Sequence, residues 1–194
     1  MRKIILFMHM SVDGFISGKD GALDWPVMDP EVSQYMVPEL LKTVDSMILG
    51  RVLYEGFSNA WPAMAANPNS PKEIVDFAHW IEDSPKIVIS DSEAKLEWKN
   101  TRQIVIKNDE EMIDAIQKLK QEPGKDIVLF GGARIAQTLA KLNLIDEYRF
   151  KLESVVVGSG SRLFENVKDR IKLKLIKSKE FACGVMGVYY QPIK

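Results

Sequence analysis

Asp126-Ile127-Val128-Leu129-Phe130-Gly131-Gly132-Ala133-Arg134-Ile135 is the stretch that decides the fold. Its first half is a short apolar run, as expected of a strand buried on both faces. Two glycines end that run. The residues after them place Ile135, Leu139 and Leu142 at helical spacing. A strand that turns through glycine directly into a helix is the building step of an α/β sheet.

The same step recurs on both sides. Residues 3–10 (KIILFMHM) read as another strand buried on both faces, followed by a Gly- and Asp-containing loop over 11–26. Residues 29–44 read as a helix with Val32, Tyr35, Met36, Leu40 and Leu41 on one side, kinked or divided at Pro38. Residues 46–49 form a short strand. Gly50 leads from it into a helix from 51 to about 59, ending near Trp61-Pro62, with a loop over 63–70. A helix over 71–81 takes Ser70 as its cap. Strands are predicted at 86–89 and 103–106, with an amphipathic helix between 109 and 120 carrying Met112, Ile113, Ile116 and Leu119. A long strand over 148–157 precedes an antiparallel hairpin, 171–182 with 185–191, turning at Cys183-Gly184. Strands alternating with helices predict an α/β sheet with an antiparallel C-terminal edge, in one domain over 1–194.

Composition removes several classes of function. Lys and Arg number 26 against 27 Asp and Glu, for a net charge of −1. No basic excess exists to drive binding to nucleic acid. The single cysteine, Cys183, and two histidines, His9 and His79, leave no zinc-ligand pattern, so no metal is expected. The apolar run at 4–8 is too short for a membrane span and has no cleavage site after it. The expectation is a reducing cytoplasmic protein with no membrane partner.

Four segments can carry chemistry. The Gly131-Gly132 turn lets backbone approach a ligand, and the helix after it presents free N–H groups to a phosphate; a tight turn that merely needs glycine reads equally well. GxGxxG and the P-loop pattern are absent here. Leu49-Gly50-Arg51 starts a helix with a cation, against the helix dipole. That fits an anion partner, or else a surface pair with Glu55. The loop from Ser11 to Pro26 carries Phe15 and Trp25 and leaves a strand end, where binding loops often lie. Ser90, Asp91 and Ser92 end another strand and serve as a turn or as a hydroxyl site. His9, on an apolar strand, reads as a satisfied core residue.

Taken in order, these segments resemble the dihydrofolate reductase superfamily. The resemblance is strongest to the C-terminal reductase domain of the bifunctional riboflavin-biosynthesis protein (the RibD C-terminal family) and its stand-alone bacterial relatives. It rests on S-V-D-G-F-I at 11–16, L-D-W at 23–25, G-R-V-L-Y-E at 50–55, Ser90, G-G-A-R at 131–134, I-D-E-Y at 145–148 and V-V-G-S-G-S-R-L-F at 156–164.

That resemblance implies a mostly parallel sheet of about eight strands flanked by helices, edged by an antiparallel C-terminal hairpin. It implies NADPH as cofactor and hydride transfer to a pteridine- or pyrimidine-like ring, such as the ribosylaminopyrimidine of riboflavin synthesis. Gly131 and Gly132 would hold the pyrophosphate through a cis peptide bond, with Ala133, Arg134 and Ile135 along the helix start. Arg51 would face the adenosine phosphate, Leu53 the pyrophosphate and Ser90 the 2′-phosphate. Val12 and Ile16 would border the nicotinamide. Asp29 and Glu31, early in the first helix, are the candidates for supplying a proton. Asp91 departs from the pattern, since a carboxylate beside the 2′-phosphate repels it. The resemblance also implies a homodimer, with residues 154–157 and Tyr189 and Tyr190 as its surface. Two other readings compete: a binding or regulatory protein that kept the fold without turnover, and a general carbonyl or nitro-group reductase.

Overall fold

The computed structural model describes residues 1–67 and 69–193. Strands β1 (Ile4–Ser11), β3 (Val44–Gly50), β4 (Lys86–Ser90), β5 (Thr101–Val105), β6 (Asp126–Gly131), β7 (Glu147–Glu153), β9 (Leu173–Glu180) and β10 (Met186–Pro192) form one sheet. Its order is β5-β4-β3-β6-β1-β7-β10-β9. The pairings from β5 across to β7 are parallel, and those of β10 with β7 and with β9 are antiparallel. A second, two-stranded sheet pairs β2 (Phe15–Ser17) with β8 (Ser161–Arg162).

Both faces of the sheet are covered. Helices α4 (Asp109–Gln121) and α5 (Ala133–Lys141) pack on the face that carries Ile4, Leu6, Ile127 and Leu129. Helices α1 (Pro30–Thr43), α2 (Arg51–Ala66) and α3 (Lys72–Asp83) pack on the face that carries Ile5, Phe7, Met47, Leu49 and Val128. Alternate residues of the KIILFMHM run therefore enter two different cores, which is why the run lacks polar alternation.

Four expectations need correction. Helix α2 does not stop at Trp61-Pro62 but runs to Ala66 with Pro62 inside it. It stays helical because Phe57 and Trp61, one turn apart, pack against Phe130 and Phe77, while Pro62 lies exposed. Helix α1 is one helix through Pro38, so of the two expectations there the division is the one that fails. There Gln34, whose carbonyl loses its intrahelical donor, faces solvent with Pro38. The cap position of α3 is Pro71 rather than Ser70, with no side-chain bond. Strand β7 ends at Glu153, and residues 154–157 leave the sheet to meet the turn after β1. Val12 N–H donates to the Val155 carbonyl (3.0 Å), and Asp13 accepts from Val157 N–H (3.1 Å) and Gly158 N–H (2.9 Å). These bonds, with one from the Ser11 hydroxyl, hold the Asp13 carboxyl down at about 2.

Candidate active site

Every parallel strand of the sheet ends on the same rim, and a cleft of about 1060 Å³ opens along it. Its polar end is made by two helix starts. Gly50 caps α2 and Gly132 caps α5, neither with a side-chain bond, and neither first turn holds an acid. Helices α1 and α4 differ: Asp29 caps α1 through the Glu31 N–H, and Asn108 caps α4 ahead of three acids, while α3, also without a side-chain cap, has Glu73 in its first turn. The two bare starts adjoin one another, since a Cβ on Gly50 would lie 3.3 Å from Ile135 Cγ1 and 3.4 Å from Gly132 N. Each carries an arginine, Arg51 and Arg134, and both are exposed.

The turn between β6 and α5 holds a cis peptide bond between Gly131 and Gly132. Gly131 has φ +102° and lies under Met8, a conformation open to glycine. A Cβ on Gly132 would meet nothing within 4 Å. The space above Gly132 is thus available to a ligand.

The rest of this end is more crowded than the sequence reading expects. Ser90 Oγ donates to the Ser92 carbonyl (2.8 Å) and accepts from Gln103 Nε2 (2.6 Å). Asp91 pairs with Arg134 at 3.0 Å, and that guanidinium holds its carboxyl below the usual range. Lys107, which the sequence reading passed over, lines the cleft and donates from Nζ to the Asp91 carbonyl. Arg134 thus holds the Asp91 carboxylate while Lys107 holds its backbone carbonyl, and Arg51 lines the same cleft.

Another part of the lining is aromatic. Phe7, Phe57, Trp61, Phe77 and Phe130 line it. Phe130 is the hub, with ring centroids 5.7–6.2 Å from Phe57, Phe77 and Phe7. Beside this wall, the parallel register of β1 and β7 sets His9 against Lys151. Glu153, fully buried, takes His9 Nδ1 at 2.6 Å on one oxygen and Val27 N–H at 3.0 Å on the other. Burial pulls the His9 pKa below its ordinary value; the bond to Glu153 opposes this and the Lys151 charge adds to it. Lys151 Nζ lies 4.9 Å from the centre of the Phe7 ring, and burial lowers its pKa to about 8.

Of the residues singled out from sequence, Ile16, Asp29, Arg51, Leu53, Ser90, Gly132, Ala133, Arg134 and Ile135 line the cleft. Gly131 lies buried directly beneath it. Val12 stands exposed on the turn after β1, outside the lining. Glu31 also lies outside, 3.7 Å from Lys179. The Asp29 carboxylate is engaged as the α1 cap. His9, Lys151, Glu153 and the aromatic wall were missed. One signal was present: β7 alternates Glu147, Arg149, Lys151 and Glu153 on one face, an unusual row for a central strand.

Comparison with known proteins gives a consistent picture. The chain is 34% identical over 189 residues to the Bacillus subtilis uncharacterized protein YyaP, covering 97% of this chain and 94% of that one. It is 30% identical to YwjB of the same organism, covering 97% of both chains. Among solved structures, a Shewanella sp. PV-4 protein provisionally assigned to riboflavin biosynthesis superposes with a TM-score of 0.71 at 21% identity, over 99% of both chains. Enterococcus faecalis dihydrofolate reductase, solved with NADP(H), gives 0.64 at 12% identity, over 99% of this chain and 97% of its own. The deaminase/5-amino-6-(5-phosphoribosylamino)uracil reductase of Thermotoga maritima gives 0.65 at 16%, with this chain spanning 57% of its length. These structural likenesses establish the dihydrofolate reductase-like α/β fold. The sequence pattern of the RibD C-terminal domain matches residues 2–186, and the chain belongs to that family.

Proposed function

We propose that the chain is an NADPH-dependent reductase acting on a pteridine- or pyrimidine-like ring, similar to 5-amino-6-(5-phosphoribosylamino)uracil reductase. The observation that carries this reading is the pair of bare, acid-free helix starts meeting at Gly132 in a cleft that is also lined by an aromatic wall. Free N–H groups and two arginines suit the phosphates of a dinucleotide. The open space over Gly132 is the cradle that a side chain would fill.

In this reading the α2 and α5 starts, with Arg134, hold the diphosphate, and Arg51 faces the adenosine phosphate. Arg51, Lys107 and Ser90 lie along the adenosine end. Ile16 borders the nicotinamide, with Val12 at the loop edge. When bound, the nicotinamide supplies the hydride. The aromatic wall stacks the substrate ring and keeps water from it. Titration with NADPH and NADH, followed by nicotinamide fluorescence, tests the assignment, and saturable NADPH binding in the micromolar range is expected. No saturable binding of either would overturn it.

A second reading, a binding protein without turnover, draws on one observation: Asp29 caps its own helix and Glu31 lies outside the cleft. NADPH binding with no oxidation across ring acceptors would favour it. A homodimer belongs to the main reading. Its surface is not Tyr189, which is buried within one chain and donates to Glu39. Val156, within 154–157, stays exposed as that surface requires, and the edge strand β9 adds the half-exposed Leu175 and Ile176. Light scattering at twice the chain mass, reduced to one by Ile176→Lys, is the expected outcome.

A further inference from the structure

We infer that His9 is the proton donor of the reaction, and that Glu153 is the positioning residue that holds its ring. This rests on the reductase reading above for the identity of the reaction, though the geometry of the pair does not depend on it.

The placement comes from the backbone. Parallel pairing of β1 with β7 sets His9 beside Lys151 and Ser11 beside Glu153 on the face that opens into the cleft. Glu153 has no exposed surface, and each of its oxygens has a partner, one His9 and one Val27 N–H. With Glu153 as acceptor, Nδ1 carries a hydrogen, and Nε2 is the nitrogen left free. Among the described residues Nε2 has no protein partner, and the side chain is 28% exposed, within the cleft lining. A ring fixed by a buried carboxyl at one nitrogen and open to a ligand at the other is how a general acid or base is oriented. The early-helix acids do not share this geometry, since Asp29 is committed to its cap and Glu31 faces away.

The step balances as follows. Hydride reaches the carbon of a C=N bond in the substrate, and the π pair moves onto nitrogen. That nitrogen takes the proton from Nε2 of the imidazolium, so the His9 N–H bond breaks and the substrate N–H bond forms. The substrate is reduced and the reduced nicotinamide is oxidised. Neutral His9 keeps its Nδ1–H on Glu153 and recovers its proton from water. The charged groups beside His9 are Glu153 and Lys151, both from β7, with Asp29 at the rim from α1. Burial and Lys151 disfavour the imidazolium and Glu153 favours it. The acid form is therefore lost as pH rises through a midpoint below 6.5.

Two measurements test the inference. Diethyl pyrocarbonate acylates neutral imidazole, and the only other histidine, His79, is exposed and serves as the standard. Mass spectrometry of the peptides should show His9 reacting with a midpoint below 6.5. Glu153→Gln should lower that midpoint and Lys151→Met should raise it. A His9 that stays unmodified while His79 reacts, or a midpoint indifferent to Glu153→Gln, overturns the inference. The second measurement follows NADPH oxidation with 7,8-dihydrobiopterin as acceptor. kcat/KM should fall about tenfold per pH unit above the His9 midpoint, and His9→Gln should lower it by about 10²–10⁴ and flatten the profile. A limb centred near pH 8 that vanishes in Lys151→Met would assign the proton to Lys151 instead. NADPH binding without oxidation at any pH would also overturn the donor role. Absence of NADPH binding sinks the reductase reading itself, and the acylation result then still decides whether Glu153 orients an open His9.

Discussion

In one region of the cleft, α2 and α5 begin on glycine with no capping side chain and an arginine in the first turn; in another, strands β1 and β7 supply His9, Lys151 and Glu153 beside five aromatic rings. The polar end is built from backbone, at two helix starts that have neither a side-chain cap, as α1 and α4 do, nor a first-turn acid, as α3 does. The aromatic end is built from side chains drawn from β1, α2, α3, β6 and β7. An end made of backbone is set by glycine and fails when a side chain is added. An end made of side chains is set by register and fails when one is removed.

The largest effect is expected at the turn itself. Gly132→Val should weaken NADPH by more than about a hundredfold, because the added atoms enter the space left for phosphate. Thermal melting should hardly move, since nothing of the protein beyond its chain neighbours lies within 4 Å of that Cβ position. Gly131→Ala should behave differently, with a loss of about 1–3 kcal/mol in stability, because Gly131 sits at φ +102° under Met8. Denaturant melts and cofactor titrations on both variants separate the two glycines. Equal effects on both would mean that the pair is structural throughout.

Next comes Arg51→Ala. Charge-assisted hydrogen bonds are worth about 1.5–3 kcal/mol, so NADPH should weaken by roughly one to two powers of ten. NADH, which lacks the 2′-phosphate, should change little. The pair with Glu55 considered from sequence does not form among the described residues, which leaves Arg51 available to a ligand. Equal losses for the two cofactors would place Arg51 on the pyrophosphate instead.

The comparison also explains what could be read from the sequence. Glycine at 50, 131 and 132 announces the polar end, because backbone approach and positive φ have few other solutions. The strand-helix alternation announces the sheet for the same local reason. The aromatic end was hidden since His9 and Glu153 lie 144 residues apart and meet only through the β1–β7 register. His9 sits in an apolar run, where a core role is the plain reading. Pro62 concealed the length of α2, since packing of Phe57 and Trp61 outweighs one missing hydrogen bond. Asp91 misled in another way: its charge is visible in the sequence, but its partner Arg134, 43 residues on, is not.

At the aromatic end, Trp61→Ala sharpens the contrast. Trp61 lines the cleft, with its ring centroid 5.0 Å from Phe77 and 5.7 Å from Phe57. Its loss removes stacking surface for a substrate ring and should weaken 7,8-dihydrobiopterin binding to the NADP⁺-loaded protein by about tenfold. NADPH affinity should stay within about twofold, because the phosphate end is untouched. A matching loss of NADPH affinity would show that the two ends are one continuous surface.

The smallest effect is expected at Asp91. Its carboxylate and the Arg134 guanidinium are 3.0 Å apart and both largely exposed. Such a pair is weak and screened by salt. It still matters for the cofactor, because Arg134 cannot serve a phosphate and Asp91 fully at once. Asp91→Asn removes the competitor and one unit of negative charge, leaving Arg51, Lys107 and Arg134 at the polar end. NADPH should then bind about threefold to fivefold more tightly at low ionic strength, and the gain should vanish at about 0.5 M salt, where the Debye length is a few ångströms. NADH should gain less. Arg134 holds the Asp91 carboxyl below the ordinary 3.8, so wild type should keep its weaker binding down to that pH and approach the variant only below it. Titrations of both cofactors at low and high salt read this directly. An unchanged NADPH-to-NADH ratio at low salt would show that the 2′-phosphate lies out of reach of Arg134, and would leave Arg51 and Lys107 as the residues that read it.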